Sequence, residues 1–141
     1  MRRLAFLLAA ASLAACDSPI VRDDYDLIDS FSATSELGAG NPPVVTATAV
    51  NGRIQVDGTA ATPCGNYGLR AEASKDGAEV TVEIVWRSEP ACATMIGGHR
   101  YRAVLDPLAP GSYRVTVVQR ILDGTLEWPA TSVLAQEVVI Q

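Results

Sequence analysis

The dipeptide Asn51-Gly52 constrains the fold of this chain more than any other feature. It separates residues 44–50 from residues 53–60, and apolar and polar residues alternate along both segments. Alternation predicts β-strands, and Asn-Gly between two such segments is the strongest short-range signal for a two-residue hairpin turn. We therefore expect an antiparallel hairpin with one apolar face. On that face the predicted pairs are Ala49 with Ile54, Ala47 with Val56, and Val45 with Gly58.

A second hairpin is predicted from residues 67–74 and 78–87, which also alternate. If Asp76-Gly77 is a two-residue type I′ turn, Arg70 lies opposite Glu83 on the polar face. A three-residue loop would shift the pairing by one residue and place apolar side chains opposite polar ones. The predicted apolar pairs are Tyr67 with Trp86, Leu69 with Ile84, Ala71 with Val82, and Ala73 with Val80.

Three further strands complete the predicted fold. Residues 100–105 and 113–120 are a third pair, joined through 106–112, and residues 132–140 are the last strand. Seven short strands separated by turn signals predict an all-β fold, a seven-stranded antiparallel β-sandwich. A chain of 141 residues is long enough for one such domain and an additional segment.

The segment from Leu108 to Tyr113 resembles a corner between two strands of immunoglobulin-like and fibronectin type III domains. In those domains the leucine enters the core and the tyrosine hydroxyl bonds to nearby backbone. The resemblance covers residues 44–141 by pattern and implies an immunoglobulin-like or fibronectin type III-like sandwich. The intersheet cysteine pair and the central tryptophan of antibody domains are absent. The resemblance implies nothing about activity.

The first 16 residues have the pattern of a secretory signal. Arg2 and Arg3 precede the apolar run 4–15, which is shorter than the roughly 20 residues that a membrane-spanning helix needs. The run ends in Leu13-Ala14-Ala15-Cys16, which resembles the lipobox of bacterial lipoproteins. In that family the signal is cut before the cysteine, whose sulfur carries a diacylglycerol. The resemblance implies a lipidated Cys16 in the bacterial cell envelope, facing the periplasm, with the choice between inner and outer membrane left open.

Residues 17–43 are predicted to be a flexible acidic tether between the signal peptide (1–16) and the β-sandwich domain (44–141). They contain five aspartates and few apolar residues, so little burial would offset the entropy of ordering them. A weak amphipathic turn around Leu27, Ile28 and Phe31 is the one element that this segment suggests. Without Arg2 and Arg3, nine basic residues remain against 16 acidic ones, a net charge near −7. This charge argues against nucleic acid as a partner and against electrostatic docking on anionic lipid. Membrane attachment is therefore expected through acyl chains on Cys16.

Cys64 and Cys92 remain as an even pair in an exported, oxidising compartment, which predicts one disulfide. If the strands alternate in direction, the connections after residues 60, 87 and 120 lie at one end of the sandwich, with one of these cysteines in each of the first two. The topology and the cysteine count therefore predict the same pair. Closing a loop of about 29 residues would stabilise the fold by roughly 3–4 kcal/mol.

The connections at that end contain the candidate binding residues. Loops on a rigid sandwich often carry recognition, and tryptophan is frequent among binding hot spots. The alternative is that these side chains cap the open end of the core and anchor the loops. The candidates are Asn66, Met95, Ile96, His99, Leu126 and Trp128.

No catalytic constellation accompanies these residues. His99 is the only histidine, no G-x-S-x-G motif occurs, and both domain cysteines are assigned to the disulfide. No zinc signature or phosphate-binding glycine loop is present, so neither a metal nor a cofactor is predicted.

We expect a non-catalytic binding or envelope-assembly module with an envelope protein as its partner. The alternative is an inhibitor of a periplasmic hydrolase that presents residues 93–99. A basic stripe of Arg100, Arg102, Arg114 and Arg120 is a further possibility that a solvated sheet face explains equally well.

Overall fold

A computed structural model describes residues 26–36, 42–62, 67–88, 97–123, 126–127 and 129–141. Within these ranges the chain forms eight strands of six or more residues and one strand of two residues. The strands are β1 (Ile28–Ser35), β2 (Val45–Val50), β3 (Arg53–Thr62), β4 (Tyr67–Asp76), β5 (Glu79–Ser88), β6 (Gly97–Leu105), β7 (Gly111–Asp123), β8 (Leu126–Glu127) and β9 (Thr131–Ile140).

Two sheets form a sandwich, as the alternation predicted. Sheet A has the strand order β1-β6-β3-β2, and sheet B has the order β4-β5-β7, with both β8 and β9 pairing with β7. The predicted third pair is wrong, because β6 and β7 lie in different sheets. Since β6 crosses to sheet A, the strands before and after it become neighbours in sheet B while running in the same direction. The β5–β7 pair is therefore parallel, and the prediction of a purely antiparallel sandwich is wrong there.

The predicted count of seven strands is also wrong, because the segment assigned to the tether contains β1. This strand pairs antiparallel with β6, with Phe31 opposite Ala103 and Ser35 opposite His99. Leu27, Ile28 and Phe31 are partly buried against the core. The suggested amphipathic element therefore docks, but as a strand. An isolated strand has no stability of its own, and the partner that stabilises β1 is about 70 residues away in the sequence.

The first hairpin has the predicted register. Ala49 lies opposite Ile54, Ala47 opposite Val56, and Val45 opposite Gly58. Asn51 and Gly52 have φ angles of 51° and 73°, the two left-handed conformations that a type I′ turn requires.

The second hairpin keeps the predicted faces, but its register is shifted by two residues. Leu69 lies opposite Trp86, and Arg70 lies opposite Val85 instead of Glu83. The turn is Gly77-Ala78, with Gly77 alone at a positive φ of 58°, which fits a type II′ turn. A shift of two residues leaves every side chain on its own face. Alternation therefore could not distinguish the two registers. The turn type does, because only Gly77 has the positive φ that a type II′ turn requires at its first central residue.

The predicted corner between β6 and β7 is confirmed. The Tyr113 hydroxyl donates a hydrogen bond of 2.9 Å to the carbonyl oxygen of Ala109, and Leu108 packs against the core. This contact fixes the chain where it passes from sheet A to sheet B.

The core lies between the inward faces of the two sheets. Ile54 and Val56 from β3 face Val82, Ile84, Val115 and Val117 from β5 and β7, and all six are buried. Both edges of the sandwich are also connected across the sheets. The Leu27 amide donates to the Ala73 carbonyl at one edge, and Gln136 Nε2 donates to the Ala47 carbonyl at the other.

Candidate functional site

The strand ends place three connections at one end of the sandwich, which we call the loop end. Thr62 at the end of β3 pairs with Gly97 at the start of β6, and Tyr67 pairs with Ser88. Arg87 pairs with Leu122, so β7 finishes at the same end. The connections 63–66, 89–96 and 124–130 leave from these positions. The sequence prediction that the three meet at one end agrees with the strand ends that flank them.

Most of the predicted site residues lie outside the described residues. These are the lipidation site Cys16, the cysteines Cys64 and Cys92, and the binding candidates Asn66, Met95, Ile96 and Trp128. The disulfide therefore stays a prediction. Leu126 lies in β8, opposite Asp123 of β7, and so belongs to a strand. His99 is the one candidate whose side chain the structure describes.

His99 lies in β6 with its side chain directed into the sandwich, and 4% of the residue is exposed. Its Nε2 is 3.2 Å from the hydroxyl oxygen of Thr62, which is itself buried. The Thr62 hydroxyl is also 3.4 Å from the carbonyl oxygen of Gly97. When the hydroxyl donates to Gly97, it accepts from His99 Nε2–H. His99 is therefore a buried, hydrogen-bonded residue of the core and not part of an exposed recognition loop.

Burial lowers the pKa of the His99 imidazole below its ordinary value, because the protonated ring would lose its hydration. The ring is thus neutral at neutral pH. The neutral state suits the single hydrogen bond to Thr62 and adds no charge to the core.

Gln119 and Tyr101 form a second polar contact at the same end of the core. Gln119 Nε2 is 3.4 Å from the Tyr101 hydroxyl and 3.3 Å from the Thr59 carbonyl oxygen, which it joins across the two sheets. Burial raises the pKa of the Tyr101 hydroxyl, and the bond from Gln119 partly opposes that shift. The hydroxyl therefore stays protonated at physiological pH.

Trp86 is 3% exposed and its indole Nε1 finds no acceptor among the described residues. It lies on β5 opposite Ile121, towards the loop end.

All three buried polar residues of the described chain, namely Thr62, His99 and Gln119, are in the half of the core that adjoins this end. Sequence reasoning did not single out Thr62, Gln119 or Trp86 as members of a site. The available signal was a polar residue at an inward position of a strand, as with Gln119 between Val117 and Ile121.

Among the described residues, the surroundings of His99 contain no catalytic relay. His99 contacts a threonine hydroxyl, but the described residues bring no carboxylate to its ring within hydrogen-bonding distance, as a nucleophile–base–acid relay would require. Within the described ranges, no group of three or more histidine, cysteine, aspartate or glutamate side chains has the geometry to hold a metal ion. The same ranges contain no helix long and apolar enough to cross a membrane.

The arginines on the outer face of sheet A do not form a basic stripe. Arg100 Nε is 2.8 Å from Glu36 Oε2, and Arg102 Nε is 2.7 Å from Asp57 Oδ1. The bond from Arg100 and its charge lower the pKa of Glu36. In sheet B, Arg120 Nε is 2.5 Å from Glu83 Oε1. Two further acids of the predicted tether also have partners, since Asp29 pairs with Arg53 and Asp26 accepts from the Ala73 amide.

A family model described as the ORF11 beta-sandwich domain matches residues 54–128. The matched span runs from β3 to β8, contains the connections 63–66 and 89–96, and ends within the connection 124–130. No curated protein and no solved structure matches the chain.

Proposed function

The chain belongs to the family of ORF11 beta-sandwich domains, and we propose that it acts as a non-catalytic binding or envelope-assembly module on a lipid anchor. In this proposal Cys16 carries the acyl chains, the domain faces the periplasm, and connections at the loop end contact an envelope protein. The observation that carries the proposal is the direction of β1. Its first residue, Ile28, lies opposite Leu105, and its last, Ser35, lies opposite His99 near the loop end.

The direction of β1 means that the chain enters the sandwich at the end opposite to the loop end. Asp26 and Leu27 are held there by bonds to Ala73 of β4, and the Leu27 carbonyl accepts from the Asp106 amide. A lipid on Cys16 would therefore hold the opposite end towards the membrane and direct the loop end away from it. Only residues 17–25 would separate the anchor from the domain, and nine extended residues span at most about 30 Å. A tether through residue 43 would have spanned about 90 Å.

Within the β-sandwich class, the immunoglobulin-like or fibronectin type III-like relation is part of the proposal. The Tyr113–Ala109 corner supports it. The parallel β5–β7 pair departs from it. In an immunoglobulin sandwich the third strand lies next to the sixth, which would pair β4 with β7 here. In this chain β5 lies next to β7 instead.

Two experiments test the anchor and the orientation. Growth with an alkyne-labelled fatty acid should label the protein and leave it in the membrane fraction, and Cys16→Ser should remove both the label and the membrane association. A membrane-associated, unlabelled protein would contradict the anchor.

For the loop end, a photoreactive amino acid at Met95 should crosslink an envelope protein in intact cells. The same amino acid at Ala109, an exposed position at the opposite end, should not. Equal crosslinking from both positions, or crosslinking from Ala109 alone, would contradict the orientation. If the captured protein is a hydrolase that loses its activity in the complex, the protein is an inhibitor and not an assembly module.

A further inference from the structure

Among the described strands, β2 is the outermost strand of sheet A on one side, and it contains no charged residue. Outermost strands of natural sheets usually carry charge, because an open edge pairs with other strands. The other outermost strands follow this rule, with Asp29 in β1, Arg70 in β4 and Glu137 in β9. The sequence of β2 with the residue before it is Val-Val-Thr-Ala-Thr-Ala-Val, and five of its seven residues are valine or threonine, which favour strands.

No described strand pairs with β2 on the side away from β3, and that side offers backbone donors and acceptors. The Thr59 amide donates to the Val44 carbonyl at 2.9 Å, so residue 44 and every second residue after it bond to β3. Val45, Ala47 and Ala49 therefore direct their amides and carbonyls away from β3. The bond of 2.6 Å from Gln136 Nε2 to the Ala47 carbonyl confirms this direction and leaves the second lone pair of that oxygen available.

Exposed apolar side chains mark the same strand. Three large hydrophobic residues of the described chain are exposed, namely Val44 (64%), Val50 (42%) and Val139 (56%). Val44 directly precedes β2 and Val50 is its last residue, and both lie on the face that also carries the exposed residues Thr46 and Thr48. Exposed valine side chains forgo the favourable free energy of burying apolar surface, and a strand bound at this edge would restore part of it.

We propose that the occupant is β2 of a second copy of this chain, which pairs antiparallel about a two-fold axis through Ala47. The sequence is self-complementary in this register. The resulting pairs are Val44 with Val50 of the second copy, Val45 with Ala49 of the second copy, Thr46 with Thr48 of the second copy, and the two Ala47 residues with each other.

On the outer face of sheet A this register matches valine with valine and threonine with threonine. A shift by two residues places valine opposite threonine, and a shift by one opposes the inward and outward faces. The contact is isologous, so it closes as a dimer and continues sheet A across both copies as one eight-stranded sheet. It does not depend on the lipid anchor or on the function proposed for the loop end. Because one strand pair is a small interface, we expect a dimer of modest affinity.

The test measures the mass of the full chain in detergent by sedimentation equilibrium, from about 1 μM to about 1 mM, a range that covers weak association. The wild-type chain should change from monomer to dimer within this range. Thr46→Lys/Thr48→Lys places lysine opposite lysine at two positions of the interface and should weaken the dimer at least about tenfold. Thr46→Lys/Thr48→Glu carries two charged side chains at the same exposed positions but places lysine opposite glutamate. It should dimerise at least as well as the wild type.

Folding effects are separated from pairing by matched variants. The lysine–lysine and lysine–glutamate variants share the Thr46→Lys substitution, which faces Asp57 of β3 in both. A difference in their dimer dissociation constants therefore reports the contact between copies. If the double-lysine chain fails to fold, Thr46→Glu/Thr48→Glu supplies the repulsive pair instead. Ser30→Lys/Ser32→Lys, at exposed positions of β1, should leave the dimer unchanged.

Three results would overturn the proposal. The first is a wild-type chain that stays monomeric over the whole range, which would leave β2 without a copy of itself as partner. The second is equal dimerisation of the lysine–lysine and lysine–glutamate variants. The third is an assembly that grows beyond a dimer, because a two-fold pairing of β2 uses the edge completely.

Discussion

The close approach of Tyr101 to Gly58 gives the sharpest prediction about stability. The two residues are a cross-strand pair between β6 and β3, and the tyrosine is 1% exposed. A Cβ atom on residue 58 would lie 2.7 Å from Tyr101 Cε2 and closer still to Cζ and the hydroxyl oxygen. Carbon atoms in real structures do not approach this closely, so Gly58→Ala must displace a ring that is enclosed on all sides.

The expected loss of stability follows from how far the ring can move. Overpacking of a filled core costs about 1–3 kcal/mol, and removing a large aromatic side chain costs about 3–5 kcal/mol. Displacement also breaks the contact between the Tyr101 hydroxyl and Gln119. We therefore expect Gly58→Ala to lower the free energy of unfolding by about 3 kcal/mol, a large part of the roughly 5–15 kcal/mol typical of a domain.

Urea denaturation of the full chain in detergent, followed by tryptophan fluorescence, measures this change. Gly68→Ala is the matched control, because a Cβ at residue 68 meets nothing within 4 Å. It should be neutral or stabilising by up to about 1 kcal/mol, since alanine reduces the freedom of the unfolded chain. In a Tyr101→Ala background, Gly58→Ala should cost little. The reasoning is refuted if Gly58→Ala lies within about 1 kcal/mol of the wild type, or if it costs as much without the ring as with it.

Three further predictions concern single groups. Burial lowers the pKa of His99 in the folded state, so the unfolded chain binds the proton first as the pH falls. The free energy of unfolding should therefore decrease below about pH 6.5, by at most about 1.4 kcal/mol per pH unit. Denaturation at a series of pH values should show this slope, and His99→Gln should reduce it. Tyr113→Phe removes the bond to the Ala109 carbonyl and should cost about 1 kcal/mol in the same assay, whereas no change would mean that the corner does not depend on that bond. The intact mass should rise by about two units on reduction if Cys64 and Cys92 are bonded, and an unchanged mass would contradict the disulfide. Cys64→Ser/Cys92→Ser should lower the free energy of unfolding by roughly 3–4 kcal/mol.

The hydrophobic pattern determined the class of fold and the buried faces of the described strands from β3 to β7. Where a turn also required special φ angles at adjacent residues, as at Asn51-Gly52, it fixed the register as well. The corner at Tyr113 was equally readable, because its hydrogen bond joins residues four positions apart. These features are local, so the sequence around them contains all the information that they need.

The candidate site was predictable only in outline. Alternating strand directions placed three connections at one end, and the strand ends agree with that. The prediction that His99 lies in a loop was wrong, because β6 begins at Gly97 and turns the ring inward to Thr62. A binding role for His99 stays a prediction. A single histidine after two glycines gives no periodic signal, so its direction depended on where β6 begins.

Tertiary structure alone decided the neighbours of the strands. Alternation states which face of a strand is buried but not which strand lies beside it, so the parallel β5–β7 pair could not be read from the sequence. The same holds for β1, whose polar sequence resembles a linker until β6 supplies its hydrogen bonds and Arg53 and Arg100 neutralise the acids in and beside it. By itself the sequence determined the turn at Asn51-Gly52, the corner at Tyr113 and the buried faces of the paired strands, because these follow from short-range sterics and burial. The order of the strands and the entry of the chain opposite the loop end come from long-range pairing, whose energy depends on residues far apart in the sequence.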